Sequence, residues 1–195
     1  MSGSGKSTLS RAIFLSAAAP RLVIDPAASE LTAVDGAHTF RDPGRIPWDE
    51  AATLRFVPRH ADDRAAYDEL YRRLMTSGRP CFVWLDEPED ALPASGYAKW
   101  GKTLVVRGRK LELGHLTNST EPVNILVNLK RTADHVVMFH TPLEKDRREL
   151  AQAMGVELAV LDRVHDEVIA VEHSFAWFDR RARALTWCPP LQLAA

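Results

Sequence analysis

Long apolar runs, paired cysteines and an excess of charge of one sign are all missing from this sequence of 195 residues. No stretch approaches the ~18 apolar residues of a membrane-spanning helix, which argues against an integral membrane protein. The two cysteines, Cys81 and Cys188, form no CxxC pair, so both are expected to be reduced thiols of a cytoplasmic protein. The net charge of −1 argues against a uniformly basic nucleic-acid-binding surface but leaves room for a local basic patch.

Metal-ligand spacing and internal repeats are missing as well. The seven histidines are scattered, so no structural metal site is predicted. The polar, glycine-rich start is unlike a secretory signal peptide. With 46% hydrophobic residues, this length predicts a single domain over residues 1–195, with its core over 1–155 and C-terminal strands over 156–195.

Helical and strand-like patterns alternate along the chain. The predicted helices cover residues 7–19, 62–77, 97–113 and 141–155, and the predicted strands cover residues 21–26, 54–57, 81–85, 136–139, 168–171, 175–178 and 184–188. Residues 27–50 are expected to be irregular with room for one short strand, and a strand is the alternative for 104–106. Thr141 and Glu144 are predicted to form a capping box, and a hairpin turn is predicted at 179–181. This alternation favours a three-layer α/β fold with a mostly parallel sheet.

The most informative motif is GSGKST at the start, formed by Gly3, Ser4, Gly5, Lys6, Ser7 and Thr8. It matches the second half of the phosphate-binding P-loop, G-x-x-x-x-G-K-[ST]. Glycines let successive backbone N–H groups turn toward phosphate oxygens, and the following helix adds the positive end of its dipole. Lys6 is expected to reach the β- and γ-phosphates of ATP, and the Ser7 hydroxyl is expected to bind Mg²⁺.

The first glycine of the P-loop pattern would fall just before Met1, together with the apolar strand that normally leads into the loop. Two interpretations stay open. The sequence starts too late, which is the one we favour because the remaining motif is intact, or the protein has lost ATP binding.

A second chemical signal is the acidic end of an apolar run, where Asp86 and Glu87 follow Cys81-Phe82-Val83-Trp84-Leu85. A continuous apolar run is typical of a strand buried on both faces of a parallel sheet. Such a strand ending in Asp-Glu is typical of a Walker B motif, with Asp86 as a Mg²⁺ ligand and Glu87 as the residue that polarises the attacking water. Glu89 and Asp90 are expected to be a solvated rim.

A third signal is the polar segment 114–122, in which Asn118 is the candidate for sensing the γ-phosphate, because an amide both donates and accepts hydrogen bonds. The alternative is an ordinary turn ahead of a helix that starts near Pro122.

The order of these blocks resembles the FtsK/HerA superfamily of DNA-translocating ATPases, and within it the compact genome-packaging ATPases of membrane-containing icosahedral viruses and related phage and plasmid ATPases. The blocks are GSGKST, LVIDP, FVWLDE, RGRK, the polar segment followed by proline, and ADHVVMF with its Thr-Pro-Leu-Glu sequence, and they cover roughly residues 2–150. The family usually has Thr-Gln-Arg-Pro or Thr-His-Arg-Pro where this chain reads Ser119-Thr120-Glu121-Pro122, so an acid replaces an arginine.

The resemblance implies a RecA-like (ASCE) P-loop NTPase fold with its first strand missing and a C-terminal β-hairpin. It further implies ATP and Mg²⁺ as ligands, double-stranded DNA held by phosphate contacts, a homo-oligomeric ring, usually a hexamer, and docking to capsid or membrane-vertex proteins. By carry-over, Lys6, Glu87 and Asn118 are the expected catalytic residues, and Ser7 and Asp86 the Mg²⁺ ligands.

Family rings complete each site with an arginine from the neighbouring subunit. The candidates for this arginine finger are Arg107 and Arg109, with Arg131 behind them. A solvated helix face or a track for DNA phosphates is the alternative for this basic cluster. Arg180, Arg181 and Arg183 could face DNA or protect the edge of the hairpin.

The expected function is therefore ATP hydrolysis coupled to movement of double-stranded DNA, in a viral or mobile-element packaging motor acting in the host cytoplasm or virion. Two alternatives remain. A small-molecule P-loop kinase is disfavoured by a water-activating Glu87 directly after Asp86. A non-catalytic subunit descended from an ATPase is the other.

Overall fold

The computed structural model describes residues 5–96 and 99–192, in which strands and helices alternate. The helices are α1 (Lys6–Ser16), α2 (Arg64–Thr76), α3 (Pro88–Ala91), α4 (Lys99–Arg107), α5 (Val127–Thr132), α6 (Glu144–Met154) and α7 (Leu158–Ala170). The strands are β1 (Arg21–Ile24), β2 (His38–Phe40), β3 (Thr53–Phe56), β4 (Cys81–Asp86), β5 (Leu113–Asn118), β6 (His135–Met138), β7 (Phe175–Asp179) and β8 (Ala184–Cys188). Short 3₁₀ helices lie at Glu30–Thr32, Gly108–Leu111 and Pro122–Asn124.

The strands form two sheets. Five parallel strands make the larger one in the order β2-β3-β1-β4-β5, and β6-β7-β8 form an antiparallel sheet that ends in the C-terminal hairpin. The larger sheet is covered on both faces, because α2, α4 and α5 pack on one side and α1 on the other. The α/β fold with a parallel sheet and a C-terminal hairpin, as the sequence predicts, is confirmed.

The β4 strand is the centre of the larger core. Trp84 packs with Phe14 and Val23 below α1, whereas Val83 and Leu85 face α2 on the opposite side. Successive side chains of a strand point to opposite faces of the sheet. Because both faces of β4 are buried, polar and apolar residues do not alternate in it, and its sequence is a continuous apolar run. This packing holds the acidic end of β4 at the carboxyl edge of the sheet.

Helix α2 follows the predicted pattern closely. Asp63 caps its first turn by accepting a hydrogen bond from the backbone N–H of Ala66 at 3.0 Å. Tyr67, Leu70 and Leu74 form one buried stripe against the sheet. The helix predicted over 97–113 is also present in its described part, as α4 and the 3₁₀ turn after it, and the short strand allowed within 27–50 is β2.

Two local predictions are wrong. Residues 168–171, predicted to be a strand, end helix α7, because Val168 packs with Leu161 on one face of that helix. The capping box does not form either. The Thr141 hydroxyl donates to the carbonyl of Phe139, and α6 begins only at Glu144.

The guanidinium of Arg180, at the hairpin turn, is hydrogen-bonded to backbone carbonyls of other elements. Its Nε donates to the carbonyl of Ala133 at 2.7 Å, and a second guanidinium nitrogen donates to the carbonyl of Ala153 at 3.0 Å. The hairpin is thereby tied to the ends of α5 and α6. Over residues 5–96 and 99–192, no helix is long and apolar enough to cross a bilayer.

Candidate functional site

The first turn of α1 forms one wall of the candidate site. Gly5 precedes the helix with a φ of 90°, a left-handed conformation that favours glycine. A Cβ added at this position would lie 3.2 Å from Cε1 of Phe139, so space as well as backbone conformation selects glycine here. Lys6, Ser7 and Thr8 form the first turn, whose backbone N–H groups lack intrahelical acceptors. The predicted positions Gly3 and Ser4 lie outside the described residues.

The carboxyl ends of β4 and β5 form the second wall. Asp86 and Asn118 are direct neighbours in the parallel register, and the amide of Asn118 donates to Oδ1 of Asp86 at 2.9 Å. The carbonyl oxygen of the same amide accepts a hydrogen bond from the hydroxyl of Ser10 on α1. One asparagine side chain therefore connects helix α1 to the acidic strand end.

The charged groups of the site interact across this corner. Burial lowers the pKa of Lys6, against the opposing attraction of Asp86 and Glu89. Burial raises the pKa of Asp86, which is only 8% exposed, and the hydrogen bond from Asn118 and the charge of Lys6 oppose this increase. A partly buried amine near two carboxylates is suited to bind an anionic group that also carries a cation, such as a metal-bound phosphate.

Two glutamates follow Asp86 at the rim. Glu87 is exposed and has a φ of 49°, an uncommon backbone conformation for a residue with a side chain. Burial, followed by repulsion from Asp86, raises the pKa of Glu87. Glu89 accepts a hydrogen bond from the hydroxyl of Ser119, so it belongs to the site and not to a merely solvated rim. Sequence reasoning missed Ser119 and Ser10 as partners, because nothing in their local sequence marks these contacts.

A buried acid at the end of β1 was also missed. Asp25 is fully buried and accepts hydrogen bonds from the hydroxyl of Thr32 at 2.5 Å, from the backbone N–H of Ser29 at 3.2 Å and from the guanidinium of Arg55. Its charge adds to the increase in the pKa of Asp86. The motif Ile-Asp-Pro after an apolar strand was the only sequence signal for this residue.

The candidate arginine fingers lie away from these side chains. Arg107 is exposed at the end of α4, and Arg109 forms an ion pair with Asp134 at the amino ends of β5 and β6. Arg131 is exposed on α5. An arginine finger acts on a neighbouring subunit, so these placements leave the assignment a prediction. The basic residues of α4 and the turn after it are all exposed: Lys99, Lys102, Arg107, Arg109 and Lys110.

A cavity of about 470 Å³ opens beside Lys6. It runs between the end of β5, at Ser119, and the segment after β6, at His140 and Thr141. Its size lies within the range of small-molecule sites. Lys6 lines this cavity. With Ser7, the next residue of α1, and Asp86, whose charge acts on Lys6, the corner provides an amine, a hydroxyl and a carboxylate. This donor set fits a phosphate with Mg²⁺, since the ion usually takes few protein ligands beside phosphates and water.

Asp86→Asn is expected to stabilise the protein while removing its function. The pKa of Asp86 is higher in the folded chain than in the unfolded chain, so the folded protein loses stability as the pH rises through the folded-state pKa. An asparagine amide at position 86 is neutral, so it avoids this loss of stability at neutral pH, and its oxygen can still accept the hydrogen bond from the Asn118 amide. We expect a midpoint higher by about 2–4 °C at pH 7.5, which corresponds to ~1 kcal/mol at this size. Thermal unfolding followed by circular dichroism at pH 5 and 7.5 measures this, and the gain should shrink at the lower pH.

Asp25→Asn is the matched control and should have the opposite effect. Removal of this charge leaves the guanidinium of Arg55 without its buried partner, and breaking such a pair costs about 3 kcal/mol. A lower melting midpoint for Asp25→Asn beside a higher one for Asp86→Asn would separate a functional carboxylate from a structural one. Destabilisation by both substitutions would contradict our view of Asp86.

The chain is similar in structure to solved viral NTPases. The genome packaging NTPase B204 of Sulfolobus turreted icosahedral virus 2 in complex with ATP-gammaS superimposes with a TM-score of 0.78 at 13% identity, over 98% of this chain and 94% of that chain. The complex of the same protein with sulfate has a TM-score of 0.74 at 14% identity, over 98% and 93% of the two chains. The DNA-packaging ATPase B204 of Sulfolobus turreted icosahedral virus has a TM-score of 0.68 at 12% identity, over 97% and 94%.

At this level of identity, the likeness establishes the fold. The fold expected from the resemblance to packaging ATPases is confirmed, because the similar structures are NTPases of that kind. No protein-family model matches the sequence, and no curated protein matches it.

Proposed function

We propose that this protein binds ATP with Mg²⁺ and hydrolyses it. The observation that carries the proposal is the corner formed by Lys6 on α1, Asp86 on β4 and Asn118 on β5, held together by the hydrogen bonds of the Asn118 amide. The corner joins the first turn of a helix, which favours phosphate, to a carboxylate that favours a cation. The similar folds of NTPases, one of them in complex with ATP-gammaS, support it.

Each residue then has a defined task. Lys6 would neutralise charge on the β- and γ-phosphates, while the backbone N–H groups of the first turn of α1 hold the phosphate oxygens. Ser7 and Asp86 would hold Mg²⁺, which supplies charge neutralisation at the transferred phosphoryl group. Glu87 would take the proton of the attacking water, a task that its raised pKa favours. Asn118 is hydrogen-bonded to Asp86 and to Ser10 of α1. A change in its position on binding of the γ-phosphate would therefore move both groups.

We further propose that hydrolysis drives the movement of double-stranded DNA, in a viral or mobile-element genome-packaging motor. The packaging NTPases of similar fold support this, and so does the exposed basic cluster on α4 and the turn after it. The chain would act as one domain over residues 1–195, in a homo-oligomeric ring completed by an arginine of the neighbouring subunit, beside capsid or membrane-vertex proteins. We expect it in the host cytoplasm or in the virion.

Steady-state release of phosphate tests the proposal against its alternatives. A hydrolase releases phosphate from ATP without any acceptor, and a translocase does so faster with double-stranded DNA. A small-molecule kinase would release little phosphate until an acceptor is supplied. A non-catalytic subunit would release none at any DNA concentration, while its melting midpoint with ATP and Mg²⁺ would show whether binding survives.

DNA binding is expected to be non-specific and to weaken steeply with salt, because phosphate contacts release counterions. The double variant Arg107→Ala/Lys110→Ala should lower the slope of log affinity against log salt by up to about 2, one for each lost phosphate contact. Fluorescence anisotropy with a 30-base-pair duplex at several salt concentrations measures the slope. Lys145→Ala/Arg163→Ala, which removes two exposed charges from α6 and α7, is the matched control. An equal decrease in both variants would contradict the assignment to α4.

A further inference from the structure

The segment between β6 and α6 borders the cavity beside Lys6. Phe139, its first residue, packs with Leu9 of α1 and Phe175 of β7 in one apolar cluster. Residues 140–143, which we name the border segment, then leave that cluster and line the cavity. The border segment belongs to neither a strand nor a helix, so its backbone N–H and C=O groups need partners from elsewhere in the chain.

Side chains of α6 and α7 supply these partners. The guanidinium of Arg147 on α6 donates to the carbonyl of Thr141 at 2.8 Å and to that of Pro142 at 2.9 Å. The same guanidinium donates to Asp162 of α7 at 2.7 Å, which fixes its orientation. The backbone N–H of Thr141 donates to Nε2 of His165 on α7 at 3.1 Å. The border segment is thus held by one side chain from each helix.

The hydrogen bond from Thr141 defines the protonation state of His165. Nε2 accepts a hydrogen bond only when it carries no proton, so the neutral ring has its proton on Nδ1. The side chain of His165 is buried. Burial lowers its pKa, and Arg147 of α6 and His140 of the border segment add to this decrease, whereas Asp166 and Asp162 of α7 oppose it. The ring is therefore neutral at physiological pH.

A proton on Nε2 would break this contact. The protonated ring has only donors, so the N–H of Thr141 would face another N–H group and lose its acceptor. An unpaired donor away from water is costly, and the border segment would have to move from α7 to bring it to solvent. Phe139, directly before the segment, lies against Gly5, and Lys6 lines the same cavity. A movement of the border segment therefore changes the shape of the candidate site.

We propose that neutral His165 is a positioning residue of the candidate site: it holds the border segment beside Lys6 in the position that binds the nucleotide, and protonation of its ring releases the segment. This inference rests on the proposed function, because the bound molecule is ATP with Mg²⁺. In the described part of the chain His165 does not line the cavity, so it acts through Thr141. Its loss should affect nucleotide affinity more than the chemical step.

Nuclear magnetic resonance of the ¹⁵N-labelled chain tests the contact and needs no nucleotide, so it is independent of the proposed ATPase activity. Long-range ¹H–¹⁵N spectra distinguish a protonated ring nitrogen from an unprotonated one. At pH 7.5 we expect His165 to carry its proton on Nδ1 alone. As the pH is lowered, the amide resonance of Thr141 should shift with the same midpoint as the ring. A proton on Nε2 at pH 7.5, or an amide that does not follow the ring, would overturn the proposal.

Two substitutions at position 165 separate the acceptor from the bulk of the ring. In His165→Phe no acceptor remains, and we expect KM for ATP to be about 10-fold higher at pH 7.5, the effect of leaving one donor unpaired, with kcat little changed. His165→Gln offers an amide oxygen that accepts at every pH. Its KM should stay close to that of the unchanged chain at pH 7.5, and should not share the rise in KM that the unchanged chain shows in acid.

His60→Gln, which removes an exposed histidine before α2, is the matched control and should keep the rise in KM. An equal rise in the unchanged chain and in His165→Gln would reject the role of His165, and so would a decrease in kcat without a change in KM for His165→Phe. If His165→Phe does not fold, the comparison with His165→Gln decides. If the unchanged chain hydrolyses no ATP, the proposed function fails, and the resonances of Thr141 and His165 still decide whether protonation releases the segment.

Discussion

Lys6→Ala should reduce ATP turnover by at least ~10²-fold, the usual effect of losing one preorganised charge at a transferred phosphoryl group. The expectation rests on placement, because Lys6 is held in the first turn of α1, within electrostatic reach of Asp86 and Glu89. A partly buried amine among fixed charges needs little reorganisation when the phosphate becomes more negative. Phosphate release with Mg²⁺-ATP, measured with and without double-stranded DNA, gives the size of the effect.

Lys145→Ala is the matched control, because it removes the same charge from an exposed position on α6. Its turnover should stay within a factor of two of the unchanged chain. A similar loss in both variants would point to net charge rather than to the phosphate site. Normal turnover in Lys6→Ala would refute the assignment of the P-loop and with it the proposed ATPase.

Glu87→Gln should keep ATP binding and lose hydrolysis by ~10² to 10⁴-fold, the range for removing a general base. The amide has the size of the carboxylate but cannot take a proton from water. ATP affinity measured by isothermal titration should be unchanged or slightly tighter, since one negative charge near the phosphates is lost. Single-turnover hydrolysis separates this loss from slow release of product.

The pH profile offers a second view of the same residue. Burial and the neighbouring Asp86 raise the pKa of Glu87, so its basic form appears at a higher pH than that of an ordinary glutamate. Turnover should therefore increase with pH through this raised pKa and then level off. A profile that is already level within the usual titration range of a glutamate would argue for a different base.

Glu89→Gln is the comparison that decides between the two rim glutamates. Glu89 accepts from the Ser119 hydroxyl and attracts Lys6, so it has contacts that Glu87 lacks in the described structure. We expect a decrease of about 10-fold or less for Glu89→Gln, typical of a residue that positions others. If Glu89→Gln loses more activity than Glu87→Gln, then Glu89 is the base and the Walker B interpretation shifts by two residues.

Much of the fold is local enough to be predicted. The Tyr67, Leu70 and Leu74 stripe of α2 has the spacing of one helix face, and the short, continuous apolar run of β4 ends in an acid, as a buried strand at a sheet edge does. The failure at 168–171 shows the limit of this reasoning. An apolar, β-branched run is compatible with both a strand and a helix end, and Val168 is helical because Leu161 and Val168 bury one face together.

The candidate site was predicted in part, for a related reason. Motif reasoning singles out Lys6, Asp86 and Asn118, because strand ends and glycine-rich turns can be read from neighbouring residues. It does not find Ser10, because its link to Asn118 spans 108 positions of sequence. Glu89 was assigned to solvent for the same reason, since Ser119 comes from another strand.

The sequence by itself determined which residues end each buried strand, and hence which carboxylates and amides were available for phosphate and metal. Local composition is sufficient to locate these strand ends, because a strand buried on both faces is apolar throughout and the first polar residue after it marks its end. Only the tertiary structure decided which of these ends meet, and that Asn118 is the link between α1 and Asp86. Strand order and edge pairing depend on contacts between distant segments, which no local pattern records.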